Sequence, residues 1–192
     1  GLELPAVLGG AAAFKPRILK VVGDFAWEYA TRQLWTSDTI DEFQTRHYAS
    51  KVELVRRVQN LYCKLATRVV LPSQYLKRLV GGWGVASQKA VVINNALPGE
   101  PKILIGADEL RRSLGVDGPL VLTVARLYSW KKIDDLVRMS LNFKPKSTLV
   151  IVGDGPEREY LENLARDVGA RVVFVGAVPQ DDVFSYLAAA DI

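Results

Sequence analysis

Apolar residues along the chain fall into two spacings that alternate with each other. Short β-branched or unbroken apolar runs at 18–22, 68–71, 90–93, 120–124, 148–152 and 171–175 predict strands. Between them, apolar positions recur every three or four residues and predict helices over 50–66, 73–80, 107–114, 133–142, 157–168 and 181–189. Strands separated by helices of this kind imply βαβ units and parallel sheets. Leu149, Val150, Ile151 and Val152 are apolar without alternation, the mark of a strand covered on both faces.

The rhythm breaks between residues 94 and 106. Pro98, Gly99, Pro101 and Gly106 crowd this stretch, which reads as a linker between two α/β blocks. The expected domains are therefore residues 1–97 and 98–192, each small for a complete doubly wound fold. The chain opens on an apolar tail, Leu4 to Ala13, with no strand before it. It closes on Ala190-Asp191-Ile192, which reads as the start of another strand. Both ends are expected to be cuts in a longer protein.

Composition narrows the class. Of 192 residues, 49% are hydrophobic and 24% charged, which suits a chain that buries a core. No apolar run approaches the length of a membrane span, and nothing at the start argues for secretion. Cys63 is alone, within a helical stretch, so no internal disulfide is available and a reducing cytoplasm is the expected setting. The 25 Lys and Arg exceed the 21 Asp and Glu, a surplus that suits phosphate-bearing ligands or peripheral contact with the inner face of a membrane. The basic residues are scattered and not interleaved with aromatics, which argues against a nucleic-acid partner.

Three strand ends carry candidate chemistry. Arg126 and Lys131 follow 120–124, where open α/β sheets bind ligands, and offer a planar cationic fork and a mobile point charge for phosphate oxygens. Gly153-Asp154-Gly155-Pro156 follows 148–152. It nearly spells the dinucleotide fingerprint, but Arg158 stands where the third glycine belongs, which weakens an oxidoreductase reading. The same residues also suit a plain turn, with Pro156 at the first helical position. Gly176-Ala177-Val178 follows 171–175, with Asp181 expected to cap the next helix.

Elsewhere, Asp24 and Glu28 follow 18–22, and Asp24 suits either an acceptor-binding or basic role or a helix cap. Asp134-Asp135 and Asp181-Asp182 fit helix N-termini better than a metal site, and no metal is expected. His47, the single histidine, reads as solvated or interhelical. Trp27 and Trp83 read as packing residues, and Ser73 as an N-cap.

Taken in order, these segments resemble the retaining GT-B glycosyltransferases, the large bacterial group 1 type. Val124-Ala125-Arg126-Leu127, a short loop and Lys131-Lys132-Ile133-Asp134 are similar to that family's strand, Arg-Leu, loop, Lys-Gly and acid. Val150-Ile151-Val152-Gly153-Asp154-Gly155-Pro156 resembles its next strand and donor loop. Val173 to Val178 resembles the strand and turn that hold the nucleotide base. Tyr186 to Ile192 is similar to the stretch before the family's Glu-x7-Glu signature. Leu71-Pro72-Ser73-Gln74, Trp83-Gly84-Val85 and Val92-Ile93-Asn94-Asn95 resemble the end of its N-terminal domain. Gly23-Asp24-Phe25-Ala26-Trp27-Glu28 resembles a bacterial branch.

The resemblance implies an α/β, GT-B-like fold of two facing Rossmann-like domains, both incomplete. Residues 1–97 would form the acceptor side and 98–192 the donor side. It implies retaining, metal-independent transfer from a nucleoside-diphosphate sugar to a glycan, lipid-linked or small-molecule acceptor, with no cofactor. Arg126 and Lys131 would be catalytic. Gly153, Gly155 and Val178 would bind the donor, and Asp24 and Glu28 would face the acceptor, with Asp24 approaching the donor cleft. Lys132 departs from the family's glycine, and Asp24 stands where many members have His. The family's Gly-rich loop and Glu-x7-Glu would lie outside residues 1–192, so the polypeptide alone is expected to be inactive. A sugar-nucleotide epimerase and a noncatalytic nucleotide- or sugar-binding module are the alternatives.

Overall fold

The computed structural model describes residues 3–97 and 99–192; Pro98, at the expected domain boundary, lies outside the described residues. The chain divides into two compact units, Gly1–Ala96 and Leu97–Ile192.

In the first unit, α1 (Glu3–Ala12), β1 (Ile18–Lys20), α2 (Phe25–Arg32), α3 (Ile40–Thr45) and α4 (Ser50–Leu65) precede β2 (Arg68–Leu71), α5 (Gln74–Gly82) and β3 (Ala90–Val92). The three strands form a parallel sheet in the order β1-β2-β3, with Leu19 opposite Val69 and Val70 opposite Val91. The central strand carries the core: Val69 and Leu71 are fully buried, among Tyr62 and Cys63 of α4 and Leu76 and Val80 of α5. Each such aliphatic side chain contributes ~1.5–3 kcal/mol by leaving water. A smaller cluster joins Ala26 and Ala30 of α2 to Phe43 of α3 and Val52 of α4.

Three of these helices have no counterpart in the expected pattern. The α1 segment is apolar nearly throughout and includes a Gly9-Gly10 pair, so it shows no polar face. The α2 and α3 helices span only 8 and 6 residues, too short for a periodic signal. A local signal did exist for α3: Thr39 and Glu42 form a reciprocal capping box. Strands β1 and β3 end before Val22 and Ile93, which are apolar yet 66% and 58% exposed. Hydrophobicity alone therefore overran both strands.

In the second unit, α6 (Ala107–Ser113), β4 (Leu120–Val124), α7 (Ile133–Met139), β5 (Thr148–Val152), α8 (Arg158–Val168), β6 (Val172–Gly176) and α9 (Gln180–Ala189) alternate strictly. After α7 the chain tightens into a 3-10 turn, Ser140–Asn142, instead of continuing one helix to residue 142. The sheet is parallel, in the order β4-β5-β6. Alternation along β5 divides its contacts. Leu149 and Ile151 pack with Ile133 and Val137 of α7 and Leu161 and Leu164 of α8. Val150 and Val152 pack with Val116, Leu120 and Tyr186 of α9. Residues after α9 return to the free side of β4, where Asp191 N donates to Leu120 O (2.9 Å) and Leu122 N donates to Ile192 O (2.8 Å). Lateral order thus reverses at β4, which creates the switch point where open α/β sheets leave a crevice beyond their strand ends.

Cys63 is wholly buried, and burial pushes its thiol up to about 12. At pH 8 the thiolate fraction in the folded chain is then about one in ten thousand. Iodoacetamide should leave Cys63 unmodified in the native protein and alkylate it promptly in denaturant, as mass spectrometry would record.

Candidate functional site

The carboxyl ends of β4, β5 and β6 open onto one pocket of about 400 Å³, walled chiefly by Ala125, Arg126, Gly153, Asp154, Ala177 and Val178. Main-chain bonds lace the three loops together. Gly153 N donates to Gly176 O (2.7 Å), Ala125 N to Val152 O (3.0 Å), Leu127 N to Asp154 O (3.0 Å) and Glu157 N to Leu127 O (3.1 Å). The loops approach so closely that two positions require glycine. A Cβ on Gly153 would lie 1.9 Å from Ala125 O, and one on Gly155 would lie 2.5 Å from Leu127 O. Leu127, 1% exposed, anchors the first loop in the core. Pro156 lies in the turn before α8 and not at its first position, and Pro179, not Asp181, occupies the N-cap of α9.

Arg126 is exposed, its guanidinium carbon 5.9 Å from the centre of the Tyr128 ring. Among the described residues no carboxylate pairs with it. Arg158 differs: it binds Asp154 (3.1 Å) and Glu162 (2.7 Å), which raises the pKa of its guanidinium, the Glu162 bond first. The fingerprint's third position is therefore filled by an arginine already committed to α8 and its loop. Asp154 also accepts from Gly155 N (2.7 Å).

The loop beyond Arg126 is tightly self-bonded. Tyr128 N donates to Arg126 O (2.9 Å) and Lys131 N to Tyr128 O (2.9 Å), leading into a 3-10 turn over Ser129–Lys131. Lys131 is exposed on that turn and lies outside the pocket wall, as does Gly155. The pocket thus brings together Arg126, Gly153 and Val178. Lys132 adopts the left-handed conformation (φ 53°, ψ 37°), which a glycine would adopt without a Cβ penalty. Tyr128 and Trp130 stack with ring centres 4.5 Å apart and planes 15° from parallel. Two aromatics alternating in a loop give no periodic signal in the sequence.

In the first unit, Asp24 caps α2 and is 1% exposed. Its carboxylate accepts from Trp27 N (3.1 Å), Gln59 Nε2 (3.0 Å) and Gln44 Nε2 (2.8 Å). Gln44 Oε1 in turn accepts from Trp83 Nε1 (2.9 Å). This network ties α2, α3, α4 and α5 together and leaves the carboxylate almost no open surface. Glu28 instead lines a cavity of about 200 Å³ beside Gly23, with Lys20, Val21, Phe25 and Tyr62. Trp27 and Trp83 pack, and Ser73 caps α5 by accepting from Leu76 N (3.2 Å). His47 is exposed. Asp134, Asp135, Asp181 and Asp182 occupy first helical turns, and among the described residues no cluster of three or more potential ligands could hold a metal. Among them, too, no helix is long and apolar enough to cross a membrane.

Residues 107–192 match the family model described as Glycosyl transferases group 1. The chain is 31% identical over 156 residues to an uncharacterized glycosyltransferase, MJ1607, of Methanocaldococcus jannaschii, covering 76% of this chain and 40% of the relative. It is 28% identical over 201 aligned positions to a GDP-mannose-dependent alpha-mannosyltransferase of Corynebacterium glutamicum, covering 100% of this chain and 43% of the relative. Among solved structures, Anabaena Alr3699/HepE in complex with UDP and glucose superposes with a TM-score of 0.72 at 22% identity, over 98% of this chain and 48% of that one. At that identity the likeness is one of fold. The chain spans less than half the length of each of these proteins.

Two substitutions test the loop geometry. Gly153→Ala must displace the Ala125 backbone and should destabilise the second unit by about 2–4 kcal/mol. Lys132→Gly removes a left-handed penalty of ~1–2 kcal/mol against an unfolded-state cost of ~0.5–1 kcal/mol, for a net gain of about 0.5–1 kcal/mol. Urea denaturation reads both: the midpoint should fall for the first and rise for the second, with the slope unchanged for Lys132→Gly.

Proposed function

We propose that this chain is part of a glycosyltransferase that moves a sugar from a nucleoside-diphosphate donor to an acceptor. One observation carries the reading. Arg126, an arginine with no carboxylate partner among the described residues, stands at the rim of the 400 Å³ pocket, at the sheet's switch point and within the segment that matches the group 1 family. The glycosyltransferase names of the relatives, the GDP-mannose dependence of one and the UDP and glucose bound in Alr3699/HepE, support a nucleoside-diphosphate sugar as donor.

Cleavage of the bond between sugar and diphosphate leaves negative charge on the departing oxygens. A fixed cation that binds this charge more strongly in the transition state than in the ground state lowers the barrier. Arg126 supplies a planar fork with N–H groups to spare. Lys131, five residues along the same rigid loop, adds a second positive charge. The diphosphate would lie at Arg126 and the Gly153 backbone, where the absence of Cβ allows close approach, with the base toward Val178. Gly155 serves this arrangement by letting the donor loop seat against Leu127.

The acceptor side belongs to the first unit. There Glu28, half-buried, lines the open cavity together with Glu3, and Asp24 acts from beneath by fixing the start of α2. Retention of configuration and independence from metal complete the proposal, on the likeness of the Arg126–Lys131 segment to the retaining family. The glycosyltransferase relatives favour transfer over epimerisation or passive binding.

In a catalytically active preparation, Arg126→Ala and Lys131→Ala should each lower turnover by about a hundredfold or more, the scale expected when one stabilising donor is lost. Steady-state assays with UDP- and GDP-sugars provide the measurement. Turnover close to the parent's in both variants would refute the assignment.

A further inference from the structure

We infer that Tyr128 and Trp130 are positioning residues that hold the Arg126 guanidinium ready for a diphosphate. The inference rests on Arg126 being the phosphate ligand proposed above.

Arginine is long, and its rotamer freedom opposes any fixed orientation. Among the described residues some arginines are held by acids, as Arg46 is by Asp38 and Glu42, and Arg158 by Asp154 and Glu162, and others lie against a ring without an acid, as Arg32 does on Tyr29 and Arg78 on Tyr75. An acid partner would have to be displaced before a phosphate could bind. Arg126 has an aromatic ring at 5.9 Å instead, and that ring is itself stacked on Trp130. Both aromatics are partly buried, and the backbone bonds from Tyr128 to Arg126 and from Lys131 to Tyr128 hold the loop that carries them.

An aromatic ring engages a guanidinium through its flat face, whereas phosphate oxygens engage the N–H groups at its edge. The two partners therefore do not compete. The stack restrains the side chain without neutralising its charge, and an arriving diphosphate has no salt bridge to break. Because Lys131 leaves the same turn immediately after Trp130, the stack also sets where the second cation begins.

The test separates phosphate recognition from base recognition. The chain is titrated by NMR with UDP and GDP, and with uridine and guanosine, alongside a thermal melt. Tyr128→Ala should weaken diphosphate binding by about fivefold to tenfold, the range of a partly desolvated cation–π contact, and leave nucleoside binding unchanged. Tyr128→Phe, which keeps the ring face, should restore the parent affinity. Trp130→Ala should produce a smaller loss of the same kind, and it carries the comparison should Tyr128→Ala not fold. Equal weakening of diphosphate and nucleoside binding would mean a merely structural role and would overturn the proposal. So would full diphosphate affinity in both aromatic variants when Arg126→Ala has lost it, an outcome that leaves the function reading intact. Parent-like diphosphate binding by Arg126→Ala, or no preference of the parent chain for diphosphate over nucleoside, would remove the phosphate reading and the stack with it.

Discussion

Main-chain hydrogen bonds between the loops leaving β4, β5 and β6 decide the shape of the second unit's pocket, and nearly every feature near it follows from them. Peptide groups at strand ends must find partners once the ladder stops. Here they find them in one another: Gly153 with Gly176, Leu127 with Asp154, Glu157 with Leu127. Such short separations leave no volume for a side chain between the loops, so glycine is obligatory at 153 and 155. The lacing also fixes where Arg126 leaves the sheet, because the residues on either side of it are both bonded to the β5 strand or its loop. A rigid base is what an electrostatic site needs, since a cation that must reorganise as charge develops contributes less.

The first unit solves a comparable problem with side chains. Its loops after β1 are longer, and short helices α2 and α3 have little intrinsic stability. Asp24 gathers them by accepting from a backbone amide and two glutamine side chains, while Gln44 passes the connection to Trp83. A buried carboxylate without full hydrogen bonding would be costly; with three donors it becomes a joint between four helices. With Asp24 so occupied, the cavity beside it is lined instead by Glu28 and Glu3.

What could be read from residues alone, and what could not, divides along physical lines. Strands such as 148–152 were legible because a doubly covered strand must be apolar throughout, and helices such as α4 and α8 because a long one-sided helix repeats its pattern. The α2 helix was illegible by periodicity, since eight residues make barely two turns, and its evidence lay in a cap whose residue type also suits catalysis. The acid at 24 therefore read equally well as cap or as chemistry. Arg126, Gly153 and Val178 could be named as neighbours because parallel topology sends all three strand ends to one edge. The outward place of Lys131 depends on a 3-10 turn and a left-handed Lys132, neither of which hydrophobic patterning encodes. The Tyr128–Trp130 stack was invisible for the same reason.

Pocket architecture held by peptide groups has an evolutionary consequence. Side chains at Ala177 and Val178 face the pocket but make none of the hydrogen bonds that keep its loops in place. Mutation at these positions can alter the size, polarity or charge of the wall while the framework stays intact. Change in the pocket wall is thereby uncoupled from foldability. Lineages built on this scaffold can vary the pocket wall one residue at a time while the main-chain frame persists.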